Sequence, residues 1–295
     1  MLGSKILMVA FPAFFSLTEV LTSESGALSF LQTHNLLSTH VCAACQREAS
    51  LRLERKVYRC KNVSCRKEWS CLKGTFFAKS KLAVHKILFL SYHWLAGTTR
   101  DNLCLIGGFA KQTVTDFFRS LRELVADALD EEDIVIGGEG IRVELDESKF
   151  GKRKYNKGHH VEGVWVFGGV EHTDERKVFL RVVERRDAQT LRTVILKHVR
   201  QGSIVVTDFW RGYLGLEELG YVHLRVNHSE TFVDAETGAC TDSIVGTWAG
   251  VKRKIPVRNR TTCIEENLWE FIWRRRHSND LWKGFLEALE EVIYE

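Results

Sequence analysis

The chain has 295 residues, of which 44% are hydrophobic and only two are proline, so its composition excludes a disordered protein and favours about two or three folded domains. The formal net charge is +4, which is too small to make the whole surface a polyanion-binding field. The charge is segregated, however: 123–133 is acidic, whereas 149–157, 252–260 and 274–276 are basic. Local basic patches of this kind can bind phosphate groups.

The N-terminal segment, 1–37, is predicted to be a leader followed by a short helix at 29–37. Lys5 precedes an apolar run, Ile6 to Leu17, that resembles the core of a signal peptide. The run is too short to cross a bilayer, which needs about 20 apolar residues, so we expect no membrane partner. The cysteines that follow argue against secretion. The segment is therefore predicted to be amphipathic, or to precede the true start of the protein.

Two cysteine pairs predict a zinc ribbon at 38–78. They are separated by fourteen residues and would supply four thiolate ligands: Cys42, Cys45, Cys60 and Cys65. This spacing places each pair on a tight turn around one tetrahedral Zn²⁺, which supplies much of the folding free energy of so small a module. Two disulfides or four unrelated thiols are the alternatives, and Cys71 could compete as a ligand. A zinc site indicates a reducing compartment, the nucleus or, in a bacterium, the cytoplasm.

Residues 79–130 are predicted to form three helices. The first ends at Gly97, the second spans 101–106, and the third begins near Lys111 with one apolar face at helical spacing. A short helix, a glycine turn and a helix with a polar first turn resemble a helix-turn-helix, and a plain helical bundle is the alternative. In the DNA-binding interpretation the contacts come from Lys111, Gln112 and Arg119.

An acidic linker and a pair of glycines precede a change of pattern, which predicts a separate α/β domain at 138–277. Three antiparallel strands followed by alternating helix and strand indicate a mixed sheet. The predicted elements are strands at 141–146, 161–170 and 178–184, a helix at 186–200, a strand at 203–207, a helix at 213–219, a strand at 222–226, and a final helix in 278–295.

Two aspartates in this domain are candidate magnesium ligands. Asp146 lies on the first strand and Asp208 follows the strand at 203–207, so both can project at an edge of the sheet. Mg²⁺ prefers carboxylate, water and phosphate oxygens, and a carboxylate-bound cation can activate water or a hydroxyl for attack on a phosphodiester. A cap or turn role is the alternative for either aspartate. A basic turn after Asp146 would bind DNA through Lys149, Lys152, Arg153 and Lys154.

Several sequence blocks resemble the Merlin-type DNA transposases and their bacterial insertion-sequence relatives. The first catalytic block of that family is similar to D-E-S-K-F-G-K-R-K at 146–154, and the second to T-D-F-W-R-G-Y at 207–213. The third is similar to the segments 226–234 and 241–252, and the closing helix to E-F-I-W-R-R-R at 270–276. The zinc ribbon and the helix-turn-helix also occur in the family's order.

The resemblance covers about 28–293 and implies a ribonuclease-H-like catalytic domain. It further implies an Asp, Asp and Glu triad that uses Mg²⁺ or Mn²⁺, and cleavage of transposon ends followed by strand transfer. The DNA partner would then be the terminal repeats of a transposon, bound by a chain that could form a homo-oligomer.

The third acid of the triad is where this sequence departs from the family. The family pattern T-N-x-I-E-x-x-W is matched at Ile244 and Trp248, but Val245 stands at the glutamate position and Asp242 at the asparagine position. Residues 242 and 245 share a helical face, so Asp242 is a candidate third ligand, with a helix N-cap as the alternative. We therefore expect a transposon-derived DNA-binding protein with weakened catalysis. A fully active enzyme that uses Asp242, a domesticated DNA-binding protein and a zinc-ribbon interaction module are the alternatives.

A second basic cluster follows this helix. Nine residues, 252–260, contain five basic side chains and no acid. We predict DNA contacts from Lys252, Arg253 and Lys254, and a solvated basic face is the alternative.

Overall fold

A computed structural model describes residues 11–130, 134–151, 163–226, 241–256, 259–260 and 263–294. The chain divides into two compact units: Met1–Ala128 together with His277–Glu295, and Leu129–Arg276. The C-terminal helix therefore groups with the N-terminal half of the chain. Within the described ranges, no helix combines the length and apolar character that a membrane span requires.

The secondary structure follows the order expected for a small β-module, a helical segment and an α/β domain. The α-helices of the described residues are α1 (Thr18–Thr22), α2 (Glu24–Thr33), α3 (Val84–Leu95), α4 (Arg100–Gly107), α5 (Lys111–Asp127), α6 (Ala188–His198), α7 (Asp242–Lys254), α8 (Ile264–Arg276) and α9 (Leu281–Glu291). The strands are β1 (Ala49–Arg52), β2 (Val57–Cys60), β3 (Glu68–Ser70), β4 (Arg142–Phe150), β5 (Val164–Glu171), β6 (Val178–Val183), β7 (Ile204–Thr207) and β8 (Val222–Arg225).

In the first unit, the carboxylate of Glu24 links the cysteine module to helices α2 and α3. Strands β1, β2 and β3 form an antiparallel sheet in that order. Glu24, the first residue of α2, accepts hydrogen bonds from the amides of Val84 and His85 at 3.1 Å and pairs with Lys56 of the module. An anion is favourable there because the first amides of α3 carry a partial positive charge.

The helices of the first unit begin and end at capping residues. The predicted helix at 29–37 is displaced: α2 starts at Glu24, because the Ser23 side chain accepts from the amide of Gly26. The Thr99 side chain caps α4 in the same way. Helix α4 ends at Gly108, whose φ of +66° is a left-handed conformation that glycine adopts without strain. A short turn then leads directly into α5, as the glycine pattern predicts.

The second unit is built on a five-stranded mixed sheet in the order β6-β5-β4-β7-β8, which confirms the α/β class. Strands β5 and β6 pair antiparallel from β4 outward on one side. On the other side β7 is parallel to β4, and β8 is parallel to β7. Helix α6 packs on one face of the sheet, in a core with Val143 and Leu145. Helices α7 and α8 pack on the other face, in a core with Phe150 and Val166.

Two sequence predictions about this sheet are wrong. The predicted helix at 213–219 is instead two short 3₁₀ turns, because the backbone reverses at Gly215 with a φ of +77°. The first strand does not end at 146 but continues to Phe150, whose side chain is buried. Lys149 therefore lies in a strand and not in the predicted turn.

A glycine in β5 allows helix α7 to lie close to the sheet. Gly168 pairs with Asp146 of β4. A Cβ atom at Gly168 would lie 2.7 Å from Leu180 Cδ2 and 2.8 Å from Trp248 Cη2, both shorter than an ordinary carbon contact. Because Gly168 has no side chain, the indole of Trp248 can pack directly against the backbone of β5 at this position.

Replacing Gly168 by alanine should destabilise the second unit by about 1–3 kcal/mol, because overpacking forces Trp248 and Leu180 out of position. Denaturant unfolding followed by tryptophan fluorescence measures the change. Gly246→Ala is the matched control, since that glycine lies in α7 with nothing within 4 Å of the added Cβ. The control should be neutral or stabilising by up to about 1 kcal/mol. Equal stability of the two variants would contradict this account of the packing.

Candidate functional site

The four cysteines of the ribbon form a group that can hold a metal ion. All four Sγ atoms lie within 4.8 Å of one another. The Sγ atoms of Cys42 and Cys65 are 3.8 Å apart, and those of Cys45 and Cys60 are 3.4 Å apart. A tetrahedral Zn²⁺ with bonds of about 2.3 Å would place its sulfurs about 3.8 Å apart, whereas a disulfide needs about 2.05 Å. The separations fit a metal and exclude the disulfide alternative. Cys71 is buried outside this group.

Both cysteine pairs sit on turns whose backbone amides point toward the sulfurs. The first turn ends at Gln46 and the second at Arg66, each with a positive φ. The amide of Asn62 lies 3.4 Å from Cys60 Sγ and donates to it. A backbone hydrogen bond at Arg47 lowers the pKa of the Cys45 thiol to about 7. These turns favour the thiolate form that a metal requires.

The sheet brings Asp146 and Asp208 together from positions far apart in the sequence. In the parallel pair β4–β7, Glu144 is the register partner of Val206. Asp146 lies two residues further along β4, and Asp208 is the first residue after β7, so the two aspartates come at neighbouring places where the strands are about 4.8 Å apart. The charges of both aspartates also act on the same neighbouring carboxyl group, that of Glu147.

Each of the two aspartates is oriented by one N–H donor. The indole Nε1 of Trp248 donates to Asp146 Oδ2 at 3.0 Å. The amide of Trp210 donates to Asp208 Oδ1 at 2.9 Å, which closes a tight turn after β7. Both donors fix the orientation of their carboxylates. Metal ligands are usually oriented by hydrogen bonds of this kind.

Glu147 is a third carboxyl group at this site, and the sequence analysis assigned it no role. Burial raises the pKa of its carboxyl to about 7, and the negative charges of Asp146 and Asp208 act in the same direction. Its neighbour on the α6 face of the sheet is the buried phenol of Tyr213. Glu147 is therefore an acid whose charge depends strongly on its environment near neutral pH.

A fully buried carboxylate, Glu144, fixes the start of α7. Its Oε2 accepts from the amide of Ile244 at 2.8 Å, and its Oε1 contacts Nε2 of His172. Sequence reasoning missed this residue, although a glutamate between the apolar Val143 and Leu145 was an available signal. Glu144 sets where α7 meets β4, and so where Trp248 reaches Asp146.

Helix α7 carries Asp242, the predicted third ligand, in its first turn. Helix α7 begins at Asp242 after Thr241 as its N-cap residue, and no side chain makes a capping hydrogen bond. The N-cap interpretation of Asp242 is therefore wrong. Its side chain is exposed in the first turn, and Val245 is 54% exposed. Among the described residues, no group of three carboxylates lies within ligand distance of one another.

Most of the described residues predicted to contact DNA are exposed to solvent. On α5, the residues Lys111, Gln112 and Arg119 are exposed. At the end of α7, Arg253 and Lys254 are exposed, while the Nζ of Lys252 lies 5.4 Å from the ring centroid of Phe150. Outside the described residues lie Lys152, Arg153, Lys154 and residues 227–234 of the third family block.

We predict that the full-length chain binds about one equivalent of Zn²⁺ through its four clustered cysteines. Metal analysis of the purified protein measures the content, and Cys60→Ser should abolish it and unfold the ribbon, because metal binding supplies most of the module's folding free energy. Cys104→Ser is the control, since Cys104 lies outside the cluster and should leave the zinc content unchanged. A folded, metal-free ribbon would refute the prediction.

Comparison with known proteins relates the second unit of the chain to transposases. The family model described as the ISXO2-like transposase domain matches residues 133–272, which include both aspartates and α7. An uncharacterized transposase-like protein of Haemophilus influenzae is 33% identical over 123 residues, which are 40% of this chain and 94% of that protein. That relative is bacterial, and the comparison gives no support for a nuclear location. The chain belongs to the insertion-sequence transposase family.

Proposed function

We propose that this protein is a transposase of the type that uses paired aspartates and a divalent cation, and that it binds and cleaves the ends of a transposon. The observation that carries the proposal is the register of β4 and β7, which aligns Asp146 with Asp208. A carboxylate on one strand and a second directly after the neighbouring strand are suited to phosphodiester chemistry with a cation. The reaction would be end cleavage followed by strand transfer.

The sheet supports a ribonuclease-H-like interpretation of the catalytic domain. Three antiparallel strands are followed along the chain by two parallel ones, and the first strand, β4, is central. The first aspartate lies on that central strand and the second follows the adjacent parallel strand. Helix α7, which carries the third position of the family pattern, packs on β4 and β5.

Asp146 and Asp208 would hold Mg²⁺ or Mn²⁺, and their donor set fits such a hard cation. When bound, the cation would stabilise negative charge that develops on the phosphate and lower the pKa of an attacking water or hydroxyl. Trp248 and the amide of Trp210 would keep the two carboxylates oriented. Glu147 lies next to Asp146 on β4, and the charges of Asp146 and Asp208 both act on its carboxyl group.

Val245 favours a weak catalyst. A side chain with no oxygen stands where the family pattern has its third acid, and Asp242 is exposed at the start of the same helix. The second candidate function is therefore a DNA-binding protein without cleavage activity. The Zn²⁺ ribbon, α5 and the basic end of α7 would serve both functions, in a bacterial cytoplasm and, where two transposon ends are joined, as a homo-oligomer.

DNA affinity should fall steeply with salt, and replacing Lys252, Arg253 and Lys254 together by alanine should flatten the dependence. The log–log slope should change by about 0.9 for each phosphate contact that is lost. Fluorescence anisotropy with a labelled duplex at several salt concentrations measures it. The control is a triple variant of equal charge change, Arg100→Ala, Lys177→Ala and Lys283→Ala, whose side chains pair with acids. Equal slopes for the two triple variants would assign the end of α7 to a solvated face.

Val245→Glu should raise Mg²⁺-dependent nicking of supercoiled DNA at least about tenfold, because one restored ligand is worth more than about 1.4 kcal/mol of transition-state stabilisation. Adding Asp146→Ala to this variant should abolish the gain. The competing model uses Asp242 as the third ligand. It predicts ready cleavage by the unmodified protein, loss of cleavage in Asp242→Asn, and little effect of Val245→Glu.

A further inference from the structure

Cations and aromatic rings alternate along one edge of the sheet in the second unit. This aromatic–basic edge consists of Lys149, Trp165, Arg186, Trp210, Phe209 and Arg225. The guanidinium carbon of Arg186 lies 3.8 Å from the ring centroid of Trp165 and 5.1 Å from that of Trp210. Lys149 Nζ lies 5.4 Å from the Trp165 ring, and Arg225 lies 5.2 Å from the Phe209 ring.

The strand topology places these residues beside the paired aspartates. Strands β4, β6, β7 and β8 end at this edge, and β5 begins there. Phe209 and Trp210 directly follow Asp208, and the amide of Trp210 is bonded to the Asp208 carboxylate. The Trp210 indole also donates to the backbone oxygen of Arg186 at 3.3 Å, so the loop after β7 is hydrogen-bonded to the loop after β6.

The two rings nearest the aspartates are largely open to water. Phe209 is 56% exposed and Trp210 is 42% exposed, although the domain buries other large aromatic side chains completely. Exposed apolar rings forgo the free energy that burial would contribute, so neighbouring exposed rings indicate a binding surface. Their planar faces can stack on bases, and the adjacent guanidinium groups can bind phosphates.

We propose that the aromatic–basic edge binds unpaired nucleotides of a DNA strand beside the carboxylate site. Bases stack on Phe209 and Trp210, and phosphates pair with Arg186 and Arg225. A duplex does not fit this surface equally well, because its base faces are hidden in its own stack. This inference rests on the proposed function as a DNA-acting protein and adds the class of substrate: DNA with unpaired bases next to the phosphate that reacts.

The experiment compares two DNA probes with the full-length protein in Mg²⁺-free buffer. One probe is a blunt duplex, and the other is the same duplex with a five-nucleotide single-stranded flank that carries 2-aminopurine. Phe209→Ala should weaken binding of the flanked probe about tenfold, the usual scale for losing one stacked base, and leave the blunt duplex unchanged. The same variant should reduce quenching of 2-aminopurine fluorescence, which reports stacking directly.

Two further variants separate stacking from local unfolding. Trp210→Phe keeps a ring and should retain most of the preference for the flanked probe. Leu214→Ala removes an apolar side chain of similar exposure, 49%, from the same loop, and should change neither affinity nor quenching. An equal loss for Leu214→Ala and Phe209→Ala would overturn the proposal.

The remaining outcomes distinguish this inference from the proposed function. An equal effect of Phe209→Ala on both probes, or no effect on either, overturns the unpaired-strand site while DNA binding stands. If sedimentation shows a dimer that Phe209→Ala dissociates without changing DNA affinity, a second copy of the chain covers the edge and the inference is wrong. If the unmodified protein binds neither probe, the proposed function itself fails.

Discussion

The site depends on the burial of one charged group, the carboxylate of Glu144. A carboxylate removed from water is unfavourable unless donors surround it, and Glu144 accepts from the first turn of α7 and contacts His172. The hydrogen bond from Ile244 fixes the first turn of α7 on the central strand. The indole of Trp248 then meets Asp146 one turn later, over the space that Gly168 leaves open. A slip of α7 along the sheet would leave Glu144 without its amide donor.

The contacts that position α7 on the sheet do not involve the side chain of Val245. The helix that carries the third position of the family pattern is held by its neighbours, Ile244 and Trp248, and not by residue 245. The exposed isopropyl group of Val245 takes no part in the hydrogen bonds by which α7 is held to Glu144 and Asp146. Under the proposed function, replacing the third acid by Val245 would weaken cleavage and leave the fold and the basic surfaces intact.

Charge is distributed in the second unit so that opposite groups meet at one end of the sheet. Asp146, Asp208 and Glu147 concentrate negative charge, and burial raises the pKa of Glu147 to about 7. Arg186 lies on the same side and lowers that pKa through its charge. A DNA strand at this end would meet cations on the aromatic–basic edge and acids that need a cation. In the proposed complex, neighbouring phosphates would pair with Arg186 and Arg225, and the reacting phosphate would lie at the carboxylates with their cation.

The sequence by itself determined the features that depend on local spacing. The four cysteines, the glycine after α4 and the alternation of apolar residues along the strands predicted the metal cluster, the helical segment and the mixed sheet, because turns and periodicity are properties of neighbouring residues. Asp146 and Asp208 were identified by their place at strands. Only the tertiary structure decided which side chains surround them. The burial of Glu144 and Glu147, the fit of Trp248 over Gly168, and the convergence of Trp165, Arg186 and Trp210 all depend on strand register and on helix packing, which join residues up to about a hundred positions apart and leave no periodic trace in the sequence.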